Sequence, residues 1–423
     1  MTLQSIGVYY KGQEVGKTGY DLDKDLSYFQ YNPEFLKSSN FKNLFPYIIQ
    51  KTAKIQSFTA YRGETFGGLI PMIADSLPDL FGNLVFNEWM KANGKDNVSQ
   101  IQQLAYVGKR GMGALEYLPS KSITKRVYET IDIQQMTEIS NVILKQKQEL
   151  IESKFNHESL LNIFRVGGSA GGVRPKIIVS QEKRTGKLTP GDINYSAEYD
   201  HYLVKLAVDD QSYPAEKIEY AYYKLATRLG IEMQPSKLID GRHFSTLRFD
   251  REEGEKRHVL TACGIAGWDF KSMENSSYEN LFKLATNLGV SHARIAQLYQ
   301  RMVFNVLYLN VDDHLKNFSF IFEHQSNKWD IAPAYDITYA LSPLLVNKYV
   351  RRALSINGKR NGISTKDLLQ MGDTFGIKNA KTIISNTFSS SSELKAELQC
   401  IGVGDVVVNG IVKSVSANMQ DLQ

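Results

Sequence analysis

The stretch Asn310-Val-Asp-Asp-His-Leu-Lys-Asn-Phe-Ser319 carries the strongest information about how this chain folds and what chemistry it performs. It places Asp312 five residues before Asn317, and Ala334-Tyr-Asp-Ile337 puts a further carboxylate, Asp336, nineteen residues after that asparagine. Phosphoryl transfer from ATP needs a carboxylate that orients or deprotonates the attacking hydroxyl, and an amide oxygen and a second carboxylate that hold metal ions. Protein kinases have the same Asp-x4-Asn spacing, followed by a metal-binding Asp. The three residues therefore predict phosphoryl transfer.

The neighbours of these residues have secondary roles in this interpretation. We expect His314 to brace the loop by hydrogen bonding rather than to transfer protons, and Lys316 either to touch a phosphate or to be solvated. A purely structural interpretation would place Asp312 in a turn and make Asp336 a helix cap. It is disfavoured because three polar groups lie in apolar surroundings in the order that a kinase requires.

The composition is that of an ordinary globular protein. The 423 residues predict two or three packed units, and a 42% hydrophobic content supports a substantial core. A net charge of +5 and a pI of about 8.8 favour anionic ligands such as nucleotides without demonstrating nucleic-acid binding. Two distant cysteines, Cys263 and Cys400, suggest neither a disulfide framework nor a zinc site. With no signal-peptide or transmembrane pattern, we expect a cytoplasmic protein with no membrane partner.

The hydrophobic pattern alternates between strand and helix periods along the chain. It predicts an N-terminal hairpin, two amphipathic helical regions, a central strand–helix–strand unit and a helical C-terminal part. The predicted strands are 6–10, 14–20, 26–31, 201–206, 244–249, 318–322 and 328–331; the predicted helices are a segment from Ser76 onward, 130–155, 214–230 (with Ser212 as a possible N-cap) and 278–309. The last 80 residues look mainly helical, with the serine-rich residues 388–394 as a loop.

A glycine-rich loop lies between two β-like runs, within residues 161–180. Its glycines expose backbone N–H groups without Cβ obstruction, which suits a phosphate, and two cationic side chains follow. The candidate phosphate-binding residues are Gly168, Ser169, Ala170, Gly171, Gly172, Val173, Arg174 and Lys176. The loop matches neither the Walker A motif nor the kinase G-x-G-x-x-G, and a flexible hairpin turn is the alternative. The Ser169 hydroxyl could donate to a phosphate, be phosphorylated itself, or simply fill a turn.

Lys205 lies in the middle of the apolar strand His-Tyr-Leu-Val-Lys-Leu. A charge on such a strand needs a partner or a function. Either Glu216 or Glu219 on the following helix could pair with it, as a strand lysine and a helix glutamate do in kinases. The alternative is a lysine at the edge of the strand that points into solvent.

At these residues the chain resembles the HipA family of bacterial serine/threonine kinases, the toxin halves of type II toxin–antitoxin pairs. The resemblance covers nearly the whole chain, with several motifs in the family's order. The motifs are Phe66–Gly82, Val107–Tyr117, Gly167–Lys176, Arg248–Arg251, Val311–Ser319, Ala334–Ile337 and Ile356–Arg360.

The resemblance implies a role for each matched residue. It makes Asp312 the catalytic base, Asn317 and Asp336 ligands of Mg²⁺, and Lys205 a contact of the ATP phosphates. It makes Leu247 and Phe249 the adenine-binding hinge, Asp250 the ribose contact and Gly167–Lys176 the phosphate loop. Ser169 matches the family's autophosphorylated serine, whose modification ejects that loop and switches the kinase off. A phosphate of about −2 charge would be repelled from a loop shaped around ATP phosphates.

The resemblance also implies partners. The family's kinases are held in a repressor complex by a small helix-turn-helix antitoxin (HipB) that binds DNA as a dimer, so DNA contact would be indirect. The best-known target of the family is an aminoacyl-tRNA synthetase, glutamyl-tRNA synthetase. Its phosphorylation stops charging, triggers the stringent response and produces growth arrest and antibiotic tolerance.

The sequence thus predicts an α+β fold: a bilobal protein-kinase-like core with an N-terminal β-rich subdomain and a mainly helical C-terminal lobe. The predicted domains are residues 1–125, 126–250 with the phosphate loop, and 251–423 with the catalytic and metal-binding motifs. The predicted function is an ATP- and Mg²⁺-dependent protein serine/threonine kinase acting as a HipA-type toxin. The alternatives are a small-molecule kinase of the aminoglycoside-phosphotransferase type and a non-catalytic corepressor of a DNA-bound antitoxin.

Overall fold

The structure is a computed structural model of the whole chain. It describes residues 3–21, 23–59, 61, 65–78, 80–92, 94, 98–121, 130–149, 174–191, 196–207, 213–341 and 351–422.

The N-terminal part is built on an antiparallel five-stranded sheet with the order β4-β3-β2-β1-β5. Its strands are β1 (Leu3–Tyr10), β2 (Gln13–Asp21), β3 (Leu26–Tyr31), β4 (Gln56–Phe58) and β5 (Leu115–Leu118). The predicted hairpin is confirmed. Its two turn residues, Lys11 and Gly12, both have positive φ (47° and 79°), as a tight hairpin turn that follows the twist of its strands requires.

Five described helices surround this sheet and lead to the next one. They are α1 (Pro33–Lys37), α2 (Pro71–Ala74), α3 (Leu80–Ala92), α4 (Gln100–Val107) and α5 (Ile133–Glu149). The helix predicted from Ser76 begins at Leu80. The helix predicted over 130–155 is observed over the described part of that range.

A second antiparallel five-stranded sheet has the order β7-β6-β8-β10-β9. Its strands are β6 (Lys176–Glu182), β7 (Leu188–Pro190), β8 (Tyr199–Lys205), β9 (Ser236–Ile239) and β10 (His243–Leu247), and α6 (Ala215–Arg228) follows β8. Buried side chains of β6 and β8 share a hydrophobic cluster with residues of α3 and α5. On this sheet Lys205 is the partner of Lys176 in one neighbouring strand and of Phe244 in the other, so the register places the two lysines side by side.

The C-terminal part is mainly helical and carries a small three-stranded sheet. Its elements are β11 (Arg251–Glu252), β12 (Glu255–Lys256), β13 (His258–Thr261), α7 (Ala262–Ala266), α8 (Tyr278–Asn287), α9 (His292–Leu307), the 3-10 turn Leu315–Asn317, β14 (Ser319–Glu323), β15 (Lys328–Ile331), α10 (Thr365–Thr374), α11 (Ala380–Ser389), α12 (Ser391–Cys400) and α13 (Asp405–Leu422). The predicted hairpin between the two acidic motifs is confirmed as β14–β15.

Two local predictions were wrong. Residues 278–309 form two helices, because the chain turns at Gly289 with φ +78°, a conformation that favours glycine. The serine-rich residues 388–394 form the end of α11 and the start of α12. Serine normally favours turns, but here Ser390 Oγ bonds to the buried Tyr308 hydroxyl (2.6 Å) and donates to Thr387 O (2.9 Å).

The described elements share an extensive core. One cluster of buried residues runs from Ile6 in the first sheet to Leu422 at the end of α13, so the N-terminal part packs against the helical part. The predicted α+β class is confirmed, and the domain boundaries stay predictions. Within the described ranges, no helix combines the length and apolarity needed to cross a membrane.

Candidate active site

The loop after α9 brings the predicted base and the predicted metal ligand together. Asp312 projects from this loop with 71% of its side chain exposed. Asn317, in the 3-10 turn, donates from Nδ2 to the Asp312 backbone carbonyl at 2.8 Å. This bond fixes the orientation of the amide, so that its oxygen is the atom left for a ligand.

Asp313, the neighbour of the predicted base, points into the protein. Its carboxylate accepts a hydrogen bond from the Tyr278 hydroxyl (2.6 Å) and another from Leu354 N (3.3 Å), and Arg352 Nε lies 3.5 Å away. Asp313 therefore anchors the loop from inside, and Asp312 is the carboxylate that the loop presents to solvent.

Asp336 lies in a left-handed backbone conformation, with φ +53°. Such a conformation is uncommon for a residue other than glycine and is concentrated at functional sites. Lys205 Nζ donates to Asp336 Oδ1 and to both oxygens of Glu219, at 2.7 and 2.8 Å. The structure thus selects Glu219, and not Glu216, as the glutamate that pairs with Lys205.

The charges of this triad are strongly coupled. Only 10% of the Lys205 side chain, 8% of Glu219 and 26% of Asp336 are exposed. Burial opposes the charge on Asp336, but the ammonium of Lys205 and the charge of Lys176 hold its pKa below the ordinary value. Burial raises the pKa of Glu219, and Lys205 offsets only part of that effect. The triad is therefore a largely buried, charged cluster in which Asp336 is the most exposed member.

The environment of Asp312 raises its pKa above the usual aspartate range. Partial enclosure is the main cause; His314 opposes it, and the carboxylates of Asp336 and Asp313 add to it. A carboxylate with a raised pKa is a better proton acceptor than an ordinary one, which suits a general base.

The two cationic residues that follow the glycine loop have different environments. Arg174 is half exposed, and its Nη1 lies 3.2 Å from Glu216 Oε1. Lys176 is buried in β6 beside Lys205, and its charge acts on Asp336. The predicted phosphate-loop residues Gly168, Ser169, Ala170, Gly171, Gly172 and Val173 lie outside the described residues.

His314 and Lys316 both pack on one aromatic ring, Phe270. The His314 ring lies 5.0 Å from the Phe270 ring, and Lys316 Nζ lies 5.0 Å from the Phe270 ring centroid. His314 Nε2 is 3.9 Å from Asp312 Oδ1. His314 braces the loop by hydrogen bonding through its backbone carbonyl, which accepts from Asn317 N at 2.8 Å. Its side chain contributes ring packing instead, because Nδ1 has no hydrogen-bond partner in the described part of the chain.

The predicted adenine hinge follows β10. Leu247 is the last residue of that strand and donates its N–H to Pro235 O at 2.9 Å. The Phe249 ring packs against Tyr335 with centroids 5.8 Å apart, and Tyr335 directly precedes Asp336. Phe249, one of the two hinge candidates, therefore packs directly beside the loop that carries Asp336.

The predicted ribose contact, Asp250, does not fit that role. It is fully buried, and its carboxylate accepts bonds at 2.8 Å from Arg248 Nε and Nη2, at 2.8 Å from Arg251 Nη1 and at 2.7 Å from Gly113 N. The two guanidinium groups hold the pKa of Asp250 well below its usual range despite the burial. Contact with a ligand would require breaking this cluster, so we assign Asp250 to joining the N-terminal part to the kinase-like core.

The residues of the site fit a magnesium ion. The amide oxygen of Asn317 is directed away from its own bond, and Oδ2 of Asp336 has no hydrogen-bond partner among the described residues. No cluster of three or more His, Cys, Asp or Glu in the described ranges could hold a metal by itself. Mg²⁺ is ordinarily bound by one or two protein oxygens, and substrate phosphates complete its coordination.

Three residues of the site were not identified from the sequence. Asn310 donates from Nδ2 to the Asp336 carbonyl at 3.2 Å, Tyr335 donates to Lys316 O at 2.7 Å, and Phe270 supports His314 and Lys316. Tyr335 and Asn310 lie inside the two acidic motifs, and this position in the sequence could have identified them as site residues. Nothing in the sequence pointed to Phe270, because it lies in a separate loop.

Comparisons with known proteins identify the family of the chain. A model described as the HipA-like C-terminal domain matches residues 168–394, and a model described as the HipA N-terminal domain matches residues 6–118. A putative kinase of Haemophilus influenzae is 26% identical over 162 residues, which are 34% of this chain and 46% of that protein. The chain thus aligns with less than half the length of that curated relative.

Two solved structures were compared with this chain, and the first has a similar fold. A chain of the Shewanella oneidensis MR-1 complex of HipA, HipB and operator DNA matches with a TM-score of 0.62 and 15% identity, covering 99% of this chain and 96% of that one. The Helicobacter pylori proinflammatory kinase CtkA matches with a TM-score of 0.41 and 12% identity, covering 53% of this chain and 88% of that one. The predicted kinase-like α+β fold is confirmed by the first of these matches. The two domain models together span most of the sequence, and the chain belongs to the HipA family.

Proposed function

We propose that this chain is an ATP- and Mg²⁺-dependent protein serine/threonine kinase that acts as the toxin of a HipA-type toxin–antitoxin pair. The observation that carries the proposal is the position of Lys205, whose ammonium is bound by Glu219 and by Asp336 at once. This contact joins the lysine strand, the glutamate helix and the metal-binding loop, which are the three parts that a protein kinase must bring together.

The proposed reaction uses Asp312 as the group that orients and deprotonates the acceptor. The hydroxyl oxygen of a serine or threonine forms a bond to the γ-phosphorus, the bond from that phosphorus to the β–γ bridging oxygen breaks, and ADP leaves. Asp312 accepts the hydroxyl proton. Asn317 and Asp336 would hold Mg²⁺, which neutralises charge on the triphosphate. Most of the catalytic effect would come from positioning and from electrostatic stabilisation.

Cations and apolar groups of the chain would bind the nucleotide. Lys205 would contact the ATP phosphates, and these contacts would partly replace its hydrogen bond to Asp336. Lys176 and Arg174 would add positive charge beside the phosphate loop. Leu247 and Phe249 would enclose the adenine. Asp250 is excluded from this set because its carboxylate is saturated by protein donors.

Regulation and partners follow from the family. Phosphorylation of Ser169 would expel the phosphate loop and switch the kinase off. The partner would be a HipB-like helix-turn-helix antitoxin, with DNA contacted through it; the Shewanella oneidensis complex, which contains HipA, HipB and operator DNA, supports this proposal. The protein substrate would be an aminoacyl-tRNA synthetase similar to glutamyl-tRNA synthetase, phosphorylated in the cytoplasm.

The test is intact-mass spectrometry of the purified protein after treatment with phosphatase and incubation with ATP and Mg²⁺. We expect the gain of one phosphate that maps to Ser169, and no gain in an Asp312→Ala variant with an unchanged far-ultraviolet spectrum. Equal gain in both proteins would refute the role of Asp312. Transfer to small alcohols but to no protein would favour a small-molecule kinase, and no transfer at all would favour a non-catalytic corepressor.

A further inference from the structure

A small cavity lies directly beneath the metal-binding loop. Its lining includes Asn317 and Asp336, the proposed metal ligands, together with the buried Asn310 and Arg301. It offers about 10 Å³ to the centre of a water molecule, which is roughly the room that one water needs.

Arg301 is the unusual member of this lining. It lies on α9, is 3% exposed, and its Nε and Nη2 have no hydrogen-bond partner in the part of the chain that the structure describes. Burial, together with the nearby Arg294, lowers its pKa to about 10, so the group remains a cation at neutral pH. Buried N–H donors without acceptors are costly, and ordered water commonly satisfies them.

Asn310 supplies the matching acceptor. Its Nδ2 donates to Asn305 Oδ1 (3.0 Å) and to the Asp336 backbone carbonyl (3.2 Å), which fixes the amide so that Oδ1 faces the other way. This Oδ1 is buried and has no partner among the described residues. The residues that line the cavity therefore include one with unused donors, Arg301, and one with an unused acceptor, Asn310.

We propose that this cavity is a binding site for one structural water, which accepts a hydrogen bond from Arg301 and donates one to Asn310 Oδ1. Water fits both walls because it is donor and acceptor at once, whereas an anion such as chloride could not satisfy the Asn310 oxygen. The chain of contacts runs from Arg301 through the water and Asn310 to the backbone of Asp336.

The water site makes Arg301 a positioning residue for the metal ligand. Asp336 is held in a left-handed conformation, and Asn310 Nδ2 holds its carbonyl. Without the water the Asn310 oxygen would be left unsatisfied, so the amide would lose one of the bonds that keep Nδ2 on the Asp336 carbonyl. The Asp336 backbone would then lose its support on this side, and its carboxylate would be held by Lys205 alone. Groups that orient metal ligands in this way change metal affinity by about 10- to 100-fold when they are removed. This second step rests on the proposed function, because it takes Asp336 as a ligand of Mg²⁺.

The metal-binding test uses Mn²⁺ as a paramagnetic substitute for Mg²⁺. Its affinity is measured by electron paramagnetic resonance in the presence of a non-hydrolysable ATP analogue, for wild type and for Arg301→Met and Arg301→Lys. The matched control is Arg294→Met, on the same helix but bonded to Glu232 and Asp330. We expect Mn²⁺ affinity to fall about tenfold in Arg301→Met, and to be unchanged in Arg294→Met. Affinity for the analogue without metal should stay the same in all variants.

The Arg301 variants should fold, because an apolar side chain of similar length removes a buried charge without leaving another uncompensated. A melting temperature that is unchanged or raised, together with weaker Mn²⁺ binding, would separate positioning from simple structural support. Arg301→Lys is the second variant, to be used if Arg301→Met fails to fold. It should also bind Mn²⁺ more weakly than wild type, because one ammonium group cannot reproduce the geometry of the guanidinium. Unchanged Mn²⁺ affinity in the folded variants would refute the positioning role.

A high-resolution crystal structure tests the water site independently of any activity. We expect one ordered water within about 2.7–3.2 Å of an Arg301 nitrogen and of Asn310 Oδ1. A cavity filled by a side chain, or an Arg301 bonded to another acceptor, would overturn the proposal even if the chain is a kinase. If the chain transfers no phosphate but the water is present, the proposed function fails and the water site stands.

Discussion

Asp250 and Asp336 are both aspartates bound to cationic side chains, but Asp250 is fully buried and Asp336 is partly exposed. Asp250 accepts four hydrogen bonds from Arg248, Arg251 and Gly113 and has no accessible surface. Asp336 shares one lysine with Glu219, is partly accessible and has φ +53°. Under the proposed function Asp336 is the functional carboxylate, and it differs from Asp250 by its spare acceptor capacity and its left-handed backbone. Burial and a cationic partner therefore do not by themselves identify a functional carboxylate.

The largest expected effect concerns Asp312, the carboxylate that the loop presents to solvent. Asp312→Asn should lower kcat by about 10²- to 10⁴-fold, because a general base contributes a factor of that size. The fold should not change, since the side chain is exposed and Asn317 bonds to the backbone of this residue. Single-turnover transfer of radiolabelled γ-phosphate measures it. A loss below threefold would mean that positioning alone carries the reaction.

The second effect is on stability and belongs to Asp250. Asp250→Asn leaves two buried guanidinium groups poorly compensated, so we expect a loss of about 3–5 kcal/mol in the free energy of unfolding by urea. Because the pKa of Asp250 is depressed in the folded state, its stabilising effect is present above the ordinary aspartate pKa. The difference between wild type and variant should therefore be full at neutral pH and shrink as the pH falls below about 4. A variant as stable as wild type would show that Asp250 does not have the structural role assigned to it.

The two glutamates of α6 provide a matched pair for a third prediction. Glu219→Gln removes the charge that holds Lys205, and we expect phosphoryl transfer to fall about tenfold, equivalent to the loss of one charge-assisted hydrogen bond. Glu216→Gln should change it less than twofold, because Glu216 pairs with the half-exposed Arg174 and such pairs are worth little. ATP titrations of both variants measure this. Equal effects would mean that the ion pair of Lys205 has no special role.

The smallest effect is a shift in pH dependence. Asp312 acts as a base only when it is deprotonated, and its pKa is raised, so activity should fall on acidification at a higher pH than an ordinary aspartate would give. His314 lowers the pKa of Asp312, so His314→Gln should move the acidic limb of the kcat/KM profile further toward neutral pH. A profile that moves toward lower pH, or does not move, would show that another group sets this limb.

The sequence was most informative where chemistry and spacing coincide. Asp312, Asn317, Asp336 and Lys205 were identified from residue type and order, and the structure brings Lys205 and Asp336 into contact. Helix and strand periods predicted the hairpins and most helices, because the apolar residues of each element face one of two buried clusters. These predictions depend on local patterns that the fold preserves.

The remaining features depend on tertiary contacts that no local pattern records. Asp250 follows β10, at the position where the resemblance implies a ribose contact. Its carboxylate is instead bound by the N–H of Gly113, which is far away in sequence. Glu219 and Glu216 are both buried on α6, and only the packing of α6 against the second sheet decides which of them meets Lys205. The serine-rich residues 388–394 are helical rather than a loop, because Tyr308 supplies a buried hydrogen-bond partner for Ser390.

The most direct test of the central claim is a paired measurement on Asp336→Asn: phosphoryl transfer with ATP and Mg²⁺, and thermal unfolding in the same buffer. If Asp336 is a functional carboxylate held in a strained conformation, transfer should be lost while the melting temperature stays within a few degrees of wild type or rises. A variant that keeps its transfer activity, or that loses activity only in proportion to unfolding, would contradict the account.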